Sequence, residues 1–297
     1  MSIYFKAGAL AGAIALGLSG LASAATVPAG VQLAAKQEMV RNNGSEPETL
    51  DPALASGVPA NNILRDIYEG LTAVDGTGKI VPGVAESWKQ TDAKTWVFTL
   101  RKNAKWSNGD PVTAEDFIFG MRRFVDPATA SKYAATFGVF ILNGKEIVDG
   151  KMPAAELGVK ALDKYTLEIK TPYAVGFMPD VVSNLQLGPV HKATLEKFGK
   201  DWTKPGNTVG NGAYNLSDWQ VNSKVVLTKN PQYWDAKNVQ LTKFTYLAVE
   251  DGNADVKLYE SGENDWVAQL PPGSYDKYKT QYPKDIRNAP MLGLRYY

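Results

Sequence analysis

The chain has 297 residues, with 32 basic and 31 acidic side chains, one histidine and no cysteine. A formal net charge of +1 supplies no long-range field to draw in nucleic acid or an anionic membrane surface. The missing cysteine rules out a disulfide framework and a lipid-modified cysteine.

Lys6 supplies positive charge near the amino terminus, and residues 7–21 are almost wholly apolar and small. Ala22-Ser23-Ala24 then gives the small-x-small spacing a signal peptidase accepts, so cleavage is expected after Ala24 and residues 1–24 are read as an address rather than structure. The apolar run of about 15 residues falls short of the roughly 20 that span a bilayer. No second run of that length follows, which predicts a soluble, freely diffusing periplasmic chain. That remainder is long enough for one large domain or two smaller ones with real cores.

Past the leader, residues 38–41 read as a short strand running into the turn-rich Asn42-Asn43-Gly44-Ser45. Residues 49–59 carry prolines and glycine without helical period and are expected to form an extended loop. Asn61 or Asn62 then caps a helix whose apolar positions Ile63, Leu64, Ile67, Tyr68 and Leu71 recur every three to four residues, ending at Gly70. Asp75-Gly76-Thr77-Gly78 is a turn. Residues 95–101 alternate, with Trp96, Phe98 and Leu100 on one side, as a half-buried antiparallel strand does. Asn108-Gly109-Asp110 turns the chain, Thr113 and Asp116 have capping-box spacing, and Phe117, Ile118, Met121, Phe124 and Val125 form a core-facing helical stripe.

Further helices are expected at 130–137 and 141–149, and a strand at 165–170, where Leu167 and Ile169 share a face and Pro172 ends the run. A helix at 193–198 precedes Asn211-Gly212. Residues 213–219 and 224–229 alternate around Val221-Asn222-Ser223 as a hairpin, and 243–249 continues the strand theme. Residues 253–259 and 275–282 look helical. The run at 291–297 is strand-like and apolar; with nothing after it to pair, it suggests a truncated chain.

Catalytic constellations are absent from the pattern. His191 is the sole histidine, so with no cysteine the sequence lacks the ligands for a zinc or nickel site built from soft or imidazole groups, and a serine–histidine–carboxylate triad would hang on that one residue. At the start of a surface helix, its expected role is solvated or capping. Gly76-Thr77-Gly78-Lys79 fails as a dinucleotide fingerprint because Val81 stands where the third glycine belongs, and as a phosphate loop because Ala73 stands at the first. Asp251, Asn253 and Asp255 imitate a calcium loop, but Val256 replaces its turn glycine and Gly262 its bidentate glutamate; a helix starting near Asn253 accounts for them better. No metal or cofactor is implied. The 7 Trp, 14 Tyr and 10 Phe fill cores and also suit a cleft for amphipathic ligands.

The run PGVAESW at 82–88, followed by TWVFTLRKNAKWSNGDPVTAEDF at 95–117, closely resembles the signature of the oligopeptide- and dipeptide-binding family of extracellular solute-binding proteins. Further matches are Asn42-Asn43-Gly44-Ser45-Glu46, Leu50-Asp51-Pro52, Arg65-Asp66-Ile67-Tyr68-Glu69-Gly70-Leu71, Val125-Asp126-Pro127 and Asn211-Gly212-Ala213-Tyr214.

The resemblance implies a mixed α/β, periplasmic-binding-protein-like two-lobed clamp with an inserted helper domain. The first lobe would comprise 25–68 plus 192–297 and the helper domain 69–191. Members of the family are nearly twice this length, so the opposing lobe is expected to be missing.

It also implies a non-enzymatic, monomeric component of an ABC importer. Such a component grips short peptides by their backbone and delivers them to an inner-membrane permease. Ligand contacts carried over from the resemblance are Ser56, Gly57 and Val58, whose backbone would lie along the peptide, Tyr133, whose hydroxyl would reach the ligand, and Gln269 beside Trp266. Ser56 stands where the pattern has an acidic residue and Gln269 where it has asparagine. The alternatives are a murein-peptide or dipeptide receptor of the same family, an exported carbohydrate-active enzyme using a carboxylate pair the spacing does not reveal, and a holdase.

Overall fold

Alternation at Trp96, Phe98 and Leu100 places three large apolar side chains on one face of a strand, and burying that face organises the middle of the chain. The computed structural model describes residues 32–288. The leader at 1–24 and the apolar run at 291–297 lie outside the described residues. In chain order, β1 (Glu38–Asn42) leads through a loop to α1 (Gly57–Ile67), and a short hairpin of β2 (Thr72–Val74) and β3 (Ile80–Pro82) follows. Next come β4 (Ala85–Asp92), β5 (Thr95–Leu100), α2 (Ala114–Val125), α3 (Ala134–Phe137), α4 (Gly144–Val148), β6 (Val159–Asp163), β7 (Thr166–Lys170) and α5 (Met178–Val181). The chain closes with α6 (Lys192–Phe198), β8 (Tyr214–Gln220), β9 (Lys224–Lys229), β10 (Lys243–Leu247), α7 (Gly252–Glu260) and α8 (Tyr275–Gln281).

Two four-stranded sheets carry the architecture. One has the order β4-β5-β7-β6 and is antiparallel throughout. Trp96 sits opposite Ile169 and Phe98 opposite Leu167, so its buried face is built from cross-strand apolar pairs. Helix α2 packs its stripe of Phe117, Ile118, Met121, Phe124 and Val125 toward that layer. The Thr113–Asp116 capping box that starts it is formed: the Asp116 carboxylate accepts from the Thr113 amide at 2.7 Å and from its hydroxyl at 2.9 Å.

The second sheet has the order β1-β10-β9-β8. Strands β8, β9 and β10 form an antiparallel meander, and the expected hairpin at Asn222 is present. Strand β1 instead runs parallel to β10, with Glu38 opposite Lys243 and Asn42 opposite Leu247. The first strand of the chain thus pairs with one some 200 residues later, and both parallel strands end on the same side. Among the described residues no helix is long and apolar enough to cross a membrane.

Several expectations need correction. The extended loop ends at Ser56, because α1 begins at Gly57 and takes Pro59 into its first turn, where a missing N–H costs nothing. Asn61 and Asn62 lie inside the helix rather than capping it; their side chains donate to the Gly57 carbonyl at 2.7 Å and to Asn43 Oδ1 at 2.9 Å. The helix stops at Ile67, before Gly70, where Tyr68 turns extended. Its last carbonyl is taken by Gly212 N–H at 2.8 Å, and a Cβ on Gly212 would fall 2.6 Å from the Asp66 carbonyl, so only glycine allows this approach. Asn211 beside it pairs both amide groups with the Glu69 backbone, at 2.9 and 3.0 Å.

Helices α3 and α4 are shorter than expected, because Ala130 and Asn143 take left-handed φ of 55° and 66° that interrupt helical backbone. Strands β2, β3, β4 and β6 were not foreseen. β4 and β6 are sheet edges with mostly solvent-facing side chains, which leaves no alternation to read, and β2 and β3 have three residues each. His191 caps α6 as expected but is buried, 8% exposed, rather than solvated. Its Nδ1 accepts from the Thr194 amide at 3.3 Å, which leaves Nε2–H to donate to Asp110 Oδ2 at 3.1 Å.

Candidate functional site

The parallel pairing of β1 with β10 creates the most distinctive concavity of the second sheet. Where parallel strands end together, the chains leaving them diverge and open a crevice beyond their carboxyl ends. Past Asn42 the chain runs through Asn43 and Gly44; past Leu247 it runs through Val249 and Glu250 to the start of α7. These segments, Val58 on α1 and residues 268–272 line a groove of about 350 Å³.

Two buried asparagines hold its walls. Asn42 donates to the Val249 carbonyl at 2.8 Å and accepts from the Val249 amide at 3.1 Å, mimicking one more rung of sheet pairing. Asn43 donates to the Pro59 carbonyl at 2.9 Å and accepts from Asn62, fixing the start of α1 against the β1 exit. Opposite, Asp251 caps α7 by accepting from the Ala254 amide at 2.8 Å, which confirms that Asp251, Asn253 and Asp255 open a helix; it begins at Gly252, one residue before Asn253.

Asp255 is fully buried. Its carboxylate accepts from Asn264 Nδ2 at 2.6 Å and from the Ala268 amide at 2.8 Å, while Asn264 Oδ1 takes the Trp266 amide at 3.1 Å. On its other side this segment pairs with β1: the Asp265 amide donates to the Val40 carbonyl at 2.8 Å, and the Asn42 amide to the Trp266 carbonyl at 3.1 Å. The strip 264–268 is therefore clamped between α7 and the free edge of β1.

The structure brings some of the six expected contact residues together and separates others. Val58, 69% exposed, and Gln269, also exposed, line the same groove. Ser56 and Gly57 lead directly into Val58, with Gly57 at a φ of 76° that turns the chain into the helix. They form the entry to α1 rather than part of an extended loop. Trp266, 46% exposed, faces a neighbouring cleft of about 640 Å³ with Val256, Tyr259, Tyr275, Tyr278 and Tyr282. The Arg41 guanidinium lies 5.3 Å from its ring and 5.5 Å from that of Tyr246. Tyr133 lines neither cavity; it is half-buried with its ring 5.9 Å from Phe137.

Sequence reading missed Glu48 and Lys132. Ser56 does not cap α1 with its side chain; its hydroxyl donates to Glu48 Oε1 at 2.5 Å and its amide to the same atom at 2.8 Å. Lys132 Nζ lies 2.9 Å from Glu48 Oε2 and 3.2 Å from Ser56 Oγ. The Ser56 hydroxyl, with Lys132 next, holds the Glu48 carboxyl below the usual carboxylate range. No spacing in the sequence signals a contact between residues 84 apart. Asp255 and Asn264 were equally illegible as a pair.

The mixed α/β architecture, with a groove that opens beyond the ends of its parallel strands, is that of a class the sequence also identifies. Residues 79–297 match the family of bacterial extracellular solute-binding proteins, family 5, and the chain belongs to that family. It is 47% identical over 279 residues to the periplasmic oligopeptide-binding protein OppA of Salmonella typhimurium, covering 93% of this chain and 51% of that protein. It is 44% identical to the periplasmic murein peptide-binding protein MppA of Escherichia coli, covering 93% of this chain and 52% of the relative. The crystal structure of Haemophilus influenzae OppA in complex with the peptide RPPGFSPFR superposes with a TM-score of 0.81 at 44% identity, covering 84% of this chain and 49% of that one. The chain spans about half the length of the curated relatives it matches.

Proposed function

We propose that this chain belongs to the periplasmic receptor of an ABC importer, which captures short peptides by their backbone in the groove beyond β1 and β10 and breaks no bond in them. The observation that carries this reading is that Val58 and Gln269 line one groove, in a chain 47% identical to an oligopeptide-binding protein. Backbone recognition suits a receptor that accepts many side chains, because main-chain amides and carbonyls are common to every guest while wet pockets tolerate the rest. Closure around the guest would be a hinge motion, and the closed form would be presented to the inner-membrane permease by a monomer.

Export with cleavage after Ala24 belongs to the same proposal, as does a division into 25–68 plus 192–297 and 69–191. The division is supported by sheet membership: β1 and β8–β10 fall in the first group, β4–β7 in the second. Ser56, Gly57, Tyr133 and Trp266 complete the proposed contact set.

Titration of the isotopically labelled chain with an alanine tripeptide at millimolar concentration tests the reading. Amide shifts confined to residues 42–44, 56–58 and 266–270 are expected, with affinity weaker than micromolar because the chain offers one wall of a clamp. No shift in these segments overturns it. Because the chain is also 44% identical to a murein peptide-binding protein, murein tripeptide is the second candidate guest, and its competition with the alanine peptide separates the two.

A further inference from the structure

The Glu48–Lys132 pair stands at the entry to α1, yet the fold has no evident need of it. Both side chains are exposed, 61% for Lys132 and 43% for Glu48, and ion pairs in such surroundings contribute about 0–1 kcal/mol to stability. What distinguishes this pair is its place. Ser56 Oγ touches both partners, donating to Glu48 and accepting from Lys132, and two residues further on Val58 projects into the groove. Lys132 also immediately precedes Tyr133. One charge comes from the loop before α1 and the other from the segment before α3, so the two meet at Ser56, two residues before the groove-lining Val58, from separate parts of the chain.

The charge balance around that groove is uneven. Glu250, Asp251 and Asp255 line the groove, and among the described residues lining it there is no Lys or Arg. Asp255 is spent on Asn264 and the Ala268 amide. Lys132 has three N–H groups and gives two of them to Glu48 and Ser56, which leaves one to face a guest.

We propose that Glu48 and Lys132, tied together by Ser56, set the charge preference of the groove for the guest side chain that passes over the start of α1, holding it near neutrality. The inference rests on the peptide-binding reading above. Removing Lys132 leaves Glu48 unopposed beside an already acidic groove and turns the preference toward basic side chains. Removing the Glu48 charge frees Lys132 and turns it toward acidic ones.

Three tripeptides that differ only in a central Ala, Lys or Glu, titrated against the 297-residue chain, Lys132→Met and Glu48→Gln, provide the test. Gln has the shape of Glu and Met is an unbranched, uncharged chain one heavy atom shorter than Lys, and circular dichroism verifies that each variant folds. The readout is the ratio of Lys-peptide to Glu-peptide affinity, each normalised to the Ala peptide. An unopposed surface charge within one side chain's reach corresponds to roughly three- to fivefold. Lys132→Met should raise the ratio by that factor and Glu48→Gln should lower it. The same ratio in all three proteins, or a shift of both variants in one direction, overturns the inference while leaving the peptide-binding reading intact. Failure of all three peptides to shift residues 56–58 in the unmodified chain overturns the reading and the inference together.

Discussion

Asp51 and Arg123 form a two-pronged ion pair: Nη1 lies 2.8 Å from Oδ1 and Nη2 lies 2.6 Å from Oδ2. The same carboxylate accepts from the Trp202 indole at 3.2 Å and from the Ala53 amide at 3.0 Å. A loop residue before α1, a residue on α2 and one beyond α6 thus share a single charge, with the Asp51 side chain 6% exposed. The mixed and the fully antiparallel sheet are formed by different stretches of the chain, and this contact ties their surroundings together.

Deleting one partner of such a pair strands the other charge away from water. Asp51→Ala should lower stability by about 3–5 kcal/mol, seen as a reduced urea midpoint. Asp51→Ala combined with Arg123→Met should cost clearly less than the two single changes added together, because the second removes the stranded charge. Strict additivity would show that the two groups are not coupled.

Gly57 enters α1 with a φ of 76°, and a Cβ built there meets nothing nearer than Pro59 Cδ at 3.7 Å. Space is available, so the constraint is conformational. Gly57→Ala should cost about 1–2 kcal/mol, and Gly57→Asn less, since asparagine tolerates the left-handed region. Thermal unfolding of the two variants decides it, and a more stable Ala variant would contradict the argument.

What could be read from the sequence follows from what each signal reports. Buried central strands and amphipathic helices announce themselves by period, which is why β5, β7, β9 and α2 were legible from Trp96, Phe98, Leu167, Ile169 and the Phe117–Phe124 stripe. Edge strands such as β4 bury almost nothing and carry no such mark. The family signature lies in the middle sheet and its capping box, so membership was legible, while the groove depends on contacts such as those between Asn42 and Val249 or Asn43 and Pro59 that no local spacing encodes. Resemblance supplied Val58 and Gln269, and it could not supply Glu48 or Lys132.

The strip bearing Trp266 and leading to Gln269 depends on a buried carboxylate. Asp255→Ala removes acceptors from Asn264 and the Ala268 amide, and leaving such groups unsatisfied costs about 1–3 kcal/mol. The loss should be local as well as global: amide hydrogen exchange at Trp266 and Ala268 should accelerate more than at Val226 in the sheet interior. Equal acceleration at all three would mean that Asp255 supports the whole sheet rather than this strip.

Glu69 gives the fold a pH dependence of defined sign. Its carboxyl accepts from the Tyr233 hydroxyl at 2.5 Å and the Trp234 indole at 2.7 Å, with the Arg101 guanidinium 3.7 Å from the Trp234 ring centre. Burial outweighs these contacts and pushes its pKa up to about 7 from the ordinary 4.5. Asp66, half-buried and accepting from the Tyr246 hydroxyl at 2.6 Å, is pushed up by desolvation to about 6 from 3.8. An acid raised in the fold keeps a proton that the unfolded chain has already lost, so the native state is favoured at low pH. Stability then declines as pH rises through the interval between the two values and levels off above the folded one. For Glu69 that interval runs from 4.5 to about 7, and at about 1.4 kcal/mol per pH unit the full difference sets a ceiling of about 3 kcal/mol. Glu69→Gln should therefore flatten the fall in urea midpoint above pH 6 and about halve it between pH 4.5 and 6, leaving in place the part that Asp66 contributes between 3.8 and about 6. A midpoint that rises across this range in the unmodified chain, or a slope above pH 6 that survives Glu69→Gln, would remove Glu69 as its source.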